Sequence, residues 1–167
     1  MGEIPGDEFV KIYGEDFGKA LFYTHNHWCR LFVIFTRYAN LFGKSKERVE
    51  LLNATAGGFF GAVQDNFHNE IMLGICRLTD PVKSVGKRNL TLRLLPEFIE
   101  DIDLREEVEA AISEAVTRSK FARDRRNKFI SHSDFAYATH ETEYVPSGSI
   151  IEIRAAIRSI HKPIRLI

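Results

Sequence analysis

The chain has 167 residues, 44% hydrophobic and 28% charged, with 11 glycines and 5 prolines. That composition excludes a disordered or collagen-like chain and fits one globular domain over residues 1–167, large enough to fold without disulfides or a structural metal. Lysine plus arginine and aspartate plus glutamate each number 23, so no global field draws the protein to nucleic acid or membrane, and any basic surface must be local.

The longest apolar run, Leu31 to Phe35, is far short of the roughly 20 residues of a membrane-spanning helix. Residues 1–6 carry acid and proline where an export signal would carry base and a long apolar stretch. Cys29 and Cys76 both fall inside apolar helical patterns and read as reduced core thiols. A cytoplasmic protein with no membrane partner is expected.

In residues 17–42 the apolar positions Phe17, Leu21, Trp28, Leu31, Phe35, Tyr38 and Phe42 recur at spacings near three and four, which predicts one long amphipathic helix stopped by Gly43. Ser45 is a candidate N-cap for a second helix, interrupted at Gly57-Gly58. Phe60, Val63, Phe67, Ile71, Ile75 and Leu78 then continue the stripe as a third helix that ends at Asp80-Pro81, because proline disfavours helix in the residue before it. Residues 82–89 read as a surface loop and 91–99 as a short helical stretch around Pro96. Asp103 with Glu106 resembles a capping box opening a long helix that reaches about His132. After a polar stretch, residues 150–160 predict a last helix ended near Lys162-Pro163, with strand as a competitor because of the isoleucines. The chain reads as an all-α, up-and-down bundle with antiparallel neighbours.

The long helix is electrically split. Glu97, Glu100, Asp101, Asp103, Glu106, Glu107 and Glu109 lie at or before its start, and Arg118, Lys120, Arg123, Arg125, Arg126 and Lys128 at its end. This matches the helix dipole, so a solvated, dipole-stabilised face would account for the charges alone. Arg126, however, falls within the arc of Leu104, Val108, Ala111, Ala115, Ser119, Ala122 and Phe129 at about 100° per residue. A guanidinium in an apolar stripe requires an acid, a phosphate, a cleft or a subunit interface. Arg125 and His132 share a second flank with Phe121, whereas Arg126 and His132 diverge by roughly 120° on a regular helix. Local unwinding at Ser131 or a twofold-related second chain would bring them together.

The run Arg126-Asn127-Lys128-Phe129-Ile130-Ser131-His132 resembles the signature of the HEPN superfamily. The blocks Arg77-Leu78-Thr79-Asp80-Pro81, Asn89-Leu90-Thr91-Leu92, Arg126-Asn127-Lys128 and His132-Ser133-Asp134, in that order, are similar to the AbiU-like branch of abortive-infection proteins. The resemblance implies a HEPN-like bundle of four to five core helices plus a C-terminal helix. It also implies a homodimer and a metal-independent endoribonuclease of phage-defence or toxin–antitoxin systems, with RNA as substrate, a separate antitoxin chain and no cofactor. His132 would be the general acid or base, Arg126 would hold the scissile phosphate, and Asn127 would bond the phosphate or fix the imidazole. Arg125, Lys128 and Arg123 would guide the RNA backbone. Arg77 and Asp80, explicable as an intrahelical pair and a helix stop, would support Arg126. The rival reading is a non-catalytic RNA- or protein-binding dimerisation module using the same basic patch.

Other constellations carry less. His25 and Cys29 share a face, but His27 points elsewhere and no second ligand cluster has metal spacing, so no metal site is assigned. Ser131-His132-Ser133-Asp134 lacks a nucleophile elbow, and Gly57-Gly58 and Gly61 lack a P-loop lysine. His68 and Glu70 are expected to face solvent, and His140 and His161 have no assigned partner. No aromatic stacking platform for RNA is visible in the sequence.

Overall fold

The computed structural model describes residues 6–84, 86–130 and 147–167. A short helix unforeseen in the sequence, α1 (Asp7–Tyr13), is bounded by Gly6 and Gly14, both at positive φ. It lies so close to the next helix that a Cβ on Gly18 would fall 2.5 Å from the Phe9 carbonyl oxygen, which is why residue 18 carries no side chain. Helix α2 (Glu15–Phe42) spans 28 residues and buries Ala20, Leu21, Thr24, Leu31 and Phe35.

Helix α3 (Lys46–Thr79) starts at the expected cap, where the Ser45 hydroxyl accepts from the Arg48 amide at 3.3 Å. The expected interruption is a kink at Ala56, one residue before the glycine pair. Only the second half of α3 joins the core: Ile71, Met72, Ile75, Cys76 and Leu78 are buried, whereas Leu51 and Phe59 are exposed. Leu31 packs on Gly74, Tyr38 lies against His68, and Arg30 pairs with Glu70, so α3 runs antiparallel to α2.

Asp80 takes extended backbone angles and ends α3 before Pro81, as expected. The expected surface loop contains a small antiparallel pair, β1 (Lys83–Ser84) and β2 (Lys87–Arg88). The stretch around Pro96 is a 3-10 helix (Leu92–Phe98) capped by Thr91, and it buries Leu92, Leu94, Leu95 and Pro96.

The expected long helix is in pieces. Helix α4 (Ile102–Arg118) is capped by Asp101, whose Oδ1 accepts from the Leu104 amide at 3.0 Å; Asp103 sits within the first turn instead of capping it. At Ser119 the chain turns into α5 (Lys120–Arg125), followed by a π-helical turn (Arg126–Ile130). The physical reason is tertiary: α4 packs on the C-terminal helix, whereas α5 packs on the end of α3. Widening the helix there moves Phe129 off the apolar stripe, and it is 50% exposed.

Residues 150–160 settle as helix. Helix α6 (Ile150–Leu166) opens on a capping box between Ser149 and Glu152 and runs through Pro163 to Leu166, past the end expected near Lys162-Pro163. Ile153, Ala156, Ile157 and Ile160, spaced three and four apart, are all buried, and this period overrides the strand preference of isoleucine. Contacts of Gly43 with Ile150, Phe35 with Arg154 and Trp28 with His161 run α6 antiparallel to α2. Buried residues of α2, α3, the 3-10 helix, α4, α5 and α6 share one core, so the all-α bundle forms as expected. Among the described residues no helix is long and apolar enough to cross a membrane.

His68, expected at the surface, is buried: its Nε2 lies 2.7 Å from the Ser147 carbonyl oxygen and ties α3 to the chain entering α6. The burial follows from the side-by-side packing of α3 and α6, which sequence periodicity does not register. Burial lowers its pKa below the ordinary 6.5; the bond to Ser147 opposes this, Arg125 adds to it and Asp65 opposes it. The unfolded chain therefore binds the extra proton first. His68 contributes stability that is complete above the unfolded value and is lost as pH falls through it toward the lower folded value. The urea midpoint should fall between pH 7 and pH 5, and His68→Gln should flatten part of that slope, as urea titrations at both pH values would read.

Candidate functional site

The last turn of α3 leaves carbonyl groups without helical partners, and α5 supplies cations to them. Arg123 donates through Nη2 to the Thr79 carbonyl at 3.2 Å and to its hydroxyl at 3.3 Å. The Thr79 hydroxyl in turn donates to the Ile75 carbonyl at 2.9 Å. One residue further, the Asp80 carboxylate lies between two guanidinium groups: Arg126 Nη1 donates to Oδ2 at 2.5 Å, and Arg123 Nε stands 3.7 Å from Oδ1. Arg126 and Asp80 are only 22% and 23% exposed, which answers how an arginine occupies the apolar stripe. Each half-buried charge is compensated by the other, so removal of one partner leaves the other short of a counter-charge in low dielectric.

Asn127 Oδ1 accepts from Arg126 Nε at 3.2 Å, so the guanidinium is held from two sides. Its Nη2 edge makes no hydrogen bond among the described residues. Arg125 lies with its guanidinium carbon 4.6 Å from the centre of the Phe129 ring, and its buried Nε makes no hydrogen bond among the described residues. Lys128 sits on the same turn, half-buried. His132 lies outside the described residues, as do Ser131, Ser133, Asp134 and His140.

The structure thus brings Asp80, Arg123, Arg126 and Asn127 together. Arg77 goes elsewhere: its Nη1 lies 3.2 Å from Glu70 Oε1, which also meets Arg30 at 3.4 Å. The expected pairing of Arg77 with Asp80 is not formed, because Asp80 has left the helix and faces α5. Glu70, expected in solvent, is the half-buried acceptor between two arginines.

Sequence reasoning missed two supports of this site. Asn89 donates through Nδ2 to the Pro81 carbonyl at 2.9 Å, and its own amide bonds the Val82 carbonyl at 2.7 Å, closing the hairpin next to Asp80. Thr79 is fully buried as the anchor of Arg123. Both stood in the sequence blocks around Asp80 and Asn89, which hold one network rather than separate sites. Cys76, one turn before Asp80, is no nucleophile at neutral pH, since burial pushes its thiol up to about 11. Among the described residues no group of three or more His, Cys, Asp or Glu side chains converges as metal ligands would.

Asp80→Asn should destabilise the fold by about 2 kcal/mol, between the values typical of exposed and of buried pairs. A double-mutant cycle with Arg126→Gln, read by urea unfolding, should give a coupling above about 1 kcal/mol. The same cycle on the more exposed pair Arg77–Glu70 should give less.

A model of the AbiU2 family, a HEPN family, matches residues 7–167, from α1 through α6. No curated protein and no solved structure matches the chain. With the blocks that hold Asp80, Asn89 and Arg126 joined in one network and nearly the whole chain matched, the protein belongs to the AbiU2 family of HEPN proteins.

Proposed function

We propose that the chain is a metal-independent endoribonuclease of a bacterial phage-defence or toxin–antitoxin system, acting in the cytoplasm as a homodimer. Membership of the AbiU2 family supports that setting. The two free cysteines suit a reducing compartment. The observation that carries the reading is the state of Arg126: its guanidinium is oriented by Asp80 and Asn127 through Nη1 and Nε, and among the described residues its Nη2 edge makes no hydrogen bond, which suits it to a phosphate.

In the proposed reaction the RNA 2′-oxygen attacks the adjacent phosphorus and the bond to the 5′-oxygen breaks. The 2′-proton passes to a base and the leaving 5′-oxygen receives a proton, giving 2′,3′-cyclic phosphate and 5′-hydroxyl ends. His132 is the proton-transfer group in this reading, since an imidazole titrates near neutral pH. Arg126 stabilises the charge that develops on the phosphorane oxygens. Pre-orientation by Asp80 means little reorganisation is needed when that charge appears. Arg125 and Lys128 flank the phosphate as backbone contacts, whereas Arg123 is committed to Thr79 and Asp80 and acts as support. A second chain related by a twofold axis supplies a second set of the same groups to one cleft, and a separate antitoxin chain restrains the activity.

The ion pair between Arg126 and Asp80 also favours a second reading, in which the arginine is structural and the patch binds RNA or a partner protein without cutting. The two are separated by incubating the chain with total RNA in EDTA beside Arg126→Ala and His132→Ala. Wild type should cut and leave 2′,3′-cyclic phosphate ends, and each variant should lose at least about 100-fold in rate. If folded wild-type protein leaves the RNA intact while binding it, the non-catalytic reading replaces the first.

A further inference from the structure

A cavity of about 1030 Å³ lies away from Arg126, in the groove between α2 and α6. Its floor is aromatic. Trp28 and His161 stack face to face with ring centres 3.7 Å apart and planes 6° apart, and Phe32 lies 5.3 Å from Trp28 at 16°. The Trp28 indole donates to the Ile157 carbonyl at 3.1 Å, which fixes the plane of the stack. Phe32 keeps 46% of its surface open, so the series of rings ends on an available one.

One wall of the groove is a row of cations. Arg154, Arg158, Lys162 and Arg165 succeed one another about a turn apart, roughly 4.5 to 6 Å per step along α6. Among the described residues no Asp or Glu side chain lines the groove. Lys162 lies 3.8 Å from Glu114 outside it, and Arg154 lies over the Phe35 ring at 5.8 Å. Among the described residues no acid pairs with Arg154, Arg158 or Arg165. The side chains of Thr36 and Asn40 add hydrogen-bonding groups on the α2 side.

We propose that this groove binds single-stranded RNA, with the phosphates along the α6 cations and a base stacked on Phe32. The inference rests on the reading of the chain as an RNA-acting protein and adds to it the path of the strand. Regularly spaced cations suit any polyanion, but a basic track beside stacked rings is the combination that single-stranded nucleic acid uses. A duplex would not serve, because its bases are already stacked on one another. The groove also points the right way. Its Arg154–Asn40 end lies about one turn from the start of α6, where Gly148 sits against the Phe121 ring of α5, the helix that leads into Arg126.

The chain contains one tryptophan, Trp28, so its emission reports on the groove alone. The full chain would be titrated with uridine and adenosine 12-mers at two salt concentrations, with foldedness checked by circular dichroism. The oligonucleotides should quench Trp28. The double variant Arg158→Glu/Arg165→Glu should weaken binding at least tenfold and reduce the salt slope by about 1.4, the value for two lost phosphate contacts. Phe32→Ala should weaken it about tenfold. Arg126→Ala should keep the quench, so that a failure of the proposed cleavage leaves this test intact.

RNA binding that leaves Trp28 emission unchanged would overturn the groove while sparing the Arg126 site. Equal displacement of the RNA by poly-glutamate would assign the groove to an acidic protein segment instead. A change in sedimentation of the double variant with unchanged RNA affinity would assign it to a second copy of the chain.

Discussion

The arrangement at the end of α3 depends on one carboxylate that two helical turns of another segment compete to reach. Asp80 leaves α3 in an extended conformation before Pro81 and meets Arg126 at 2.5 Å and Arg123 at 3.7 Å. To bring both arginines to that point the chain leaves the α4 axis at Ser119 and packs α5 on α3. The π-helical turn after Arg125 continues the same departure. Secondary structure, ion pairing and the exposure of Phe129 are thus consequences of a single charge constraint. The carboxylate compensates half-buried guanidinium groups in the apolar stripe, and it orients one of them, whose Nη2 edge is unused among the described residues.

Much of the fold was legible because amphipathic period, caps and stops are local. The stripes of α2 and α3, the Ser45 cap and the stop at Asp80-Pro81 follow from spacing and from proline sterics. What was not legible was set by contacts between distant segments. Ser119 keeps the apolar register of α4, so nothing local marks the break there; the redirection comes from the partner that α5 finds on α3. Asp101 rather than Asp103 caps α4 because the preceding 3-10 helix sets where the chain enters it. Helix α1 is too short for periodicity to announce it.

The candidate site shows the same division. The oddity of Arg126 was visible as an arginine inside an apolar arc, and the demand for an acid followed from the cost of burying charge. Which acid did not follow from spacing, since Asp80 stands 46 positions away; the family resemblance offered Arg77 and Asp80 as supports, and only Asp80 pairs with Arg126, while Arg77 is directed to Glu70. His68 was read as a surface group because the helix periodicity of α3 does not reveal that Ser147 will cover it. The aromatic floor of the α2–α6 groove was hidden for a like reason. Trp28 and His161 are unremarkable apart, and only antiparallel packing of their helices stacks them.

The central claim is that the guanidinium held by Asp80 meets an RNA phosphate. The most direct test follows the Arg126 Nε–H resonance, assigned with Arg126→Lys, while an RNA made uncleavable by 2′-deoxy substitution is added to the full chain. A protected resonance that shifts on addition of the RNA, and loses both properties in Asp80→Asn, is the result predicted. A resonance that stays put while the RNA binds elsewhere would contradict it and leave Arg126 as a structural ion pair.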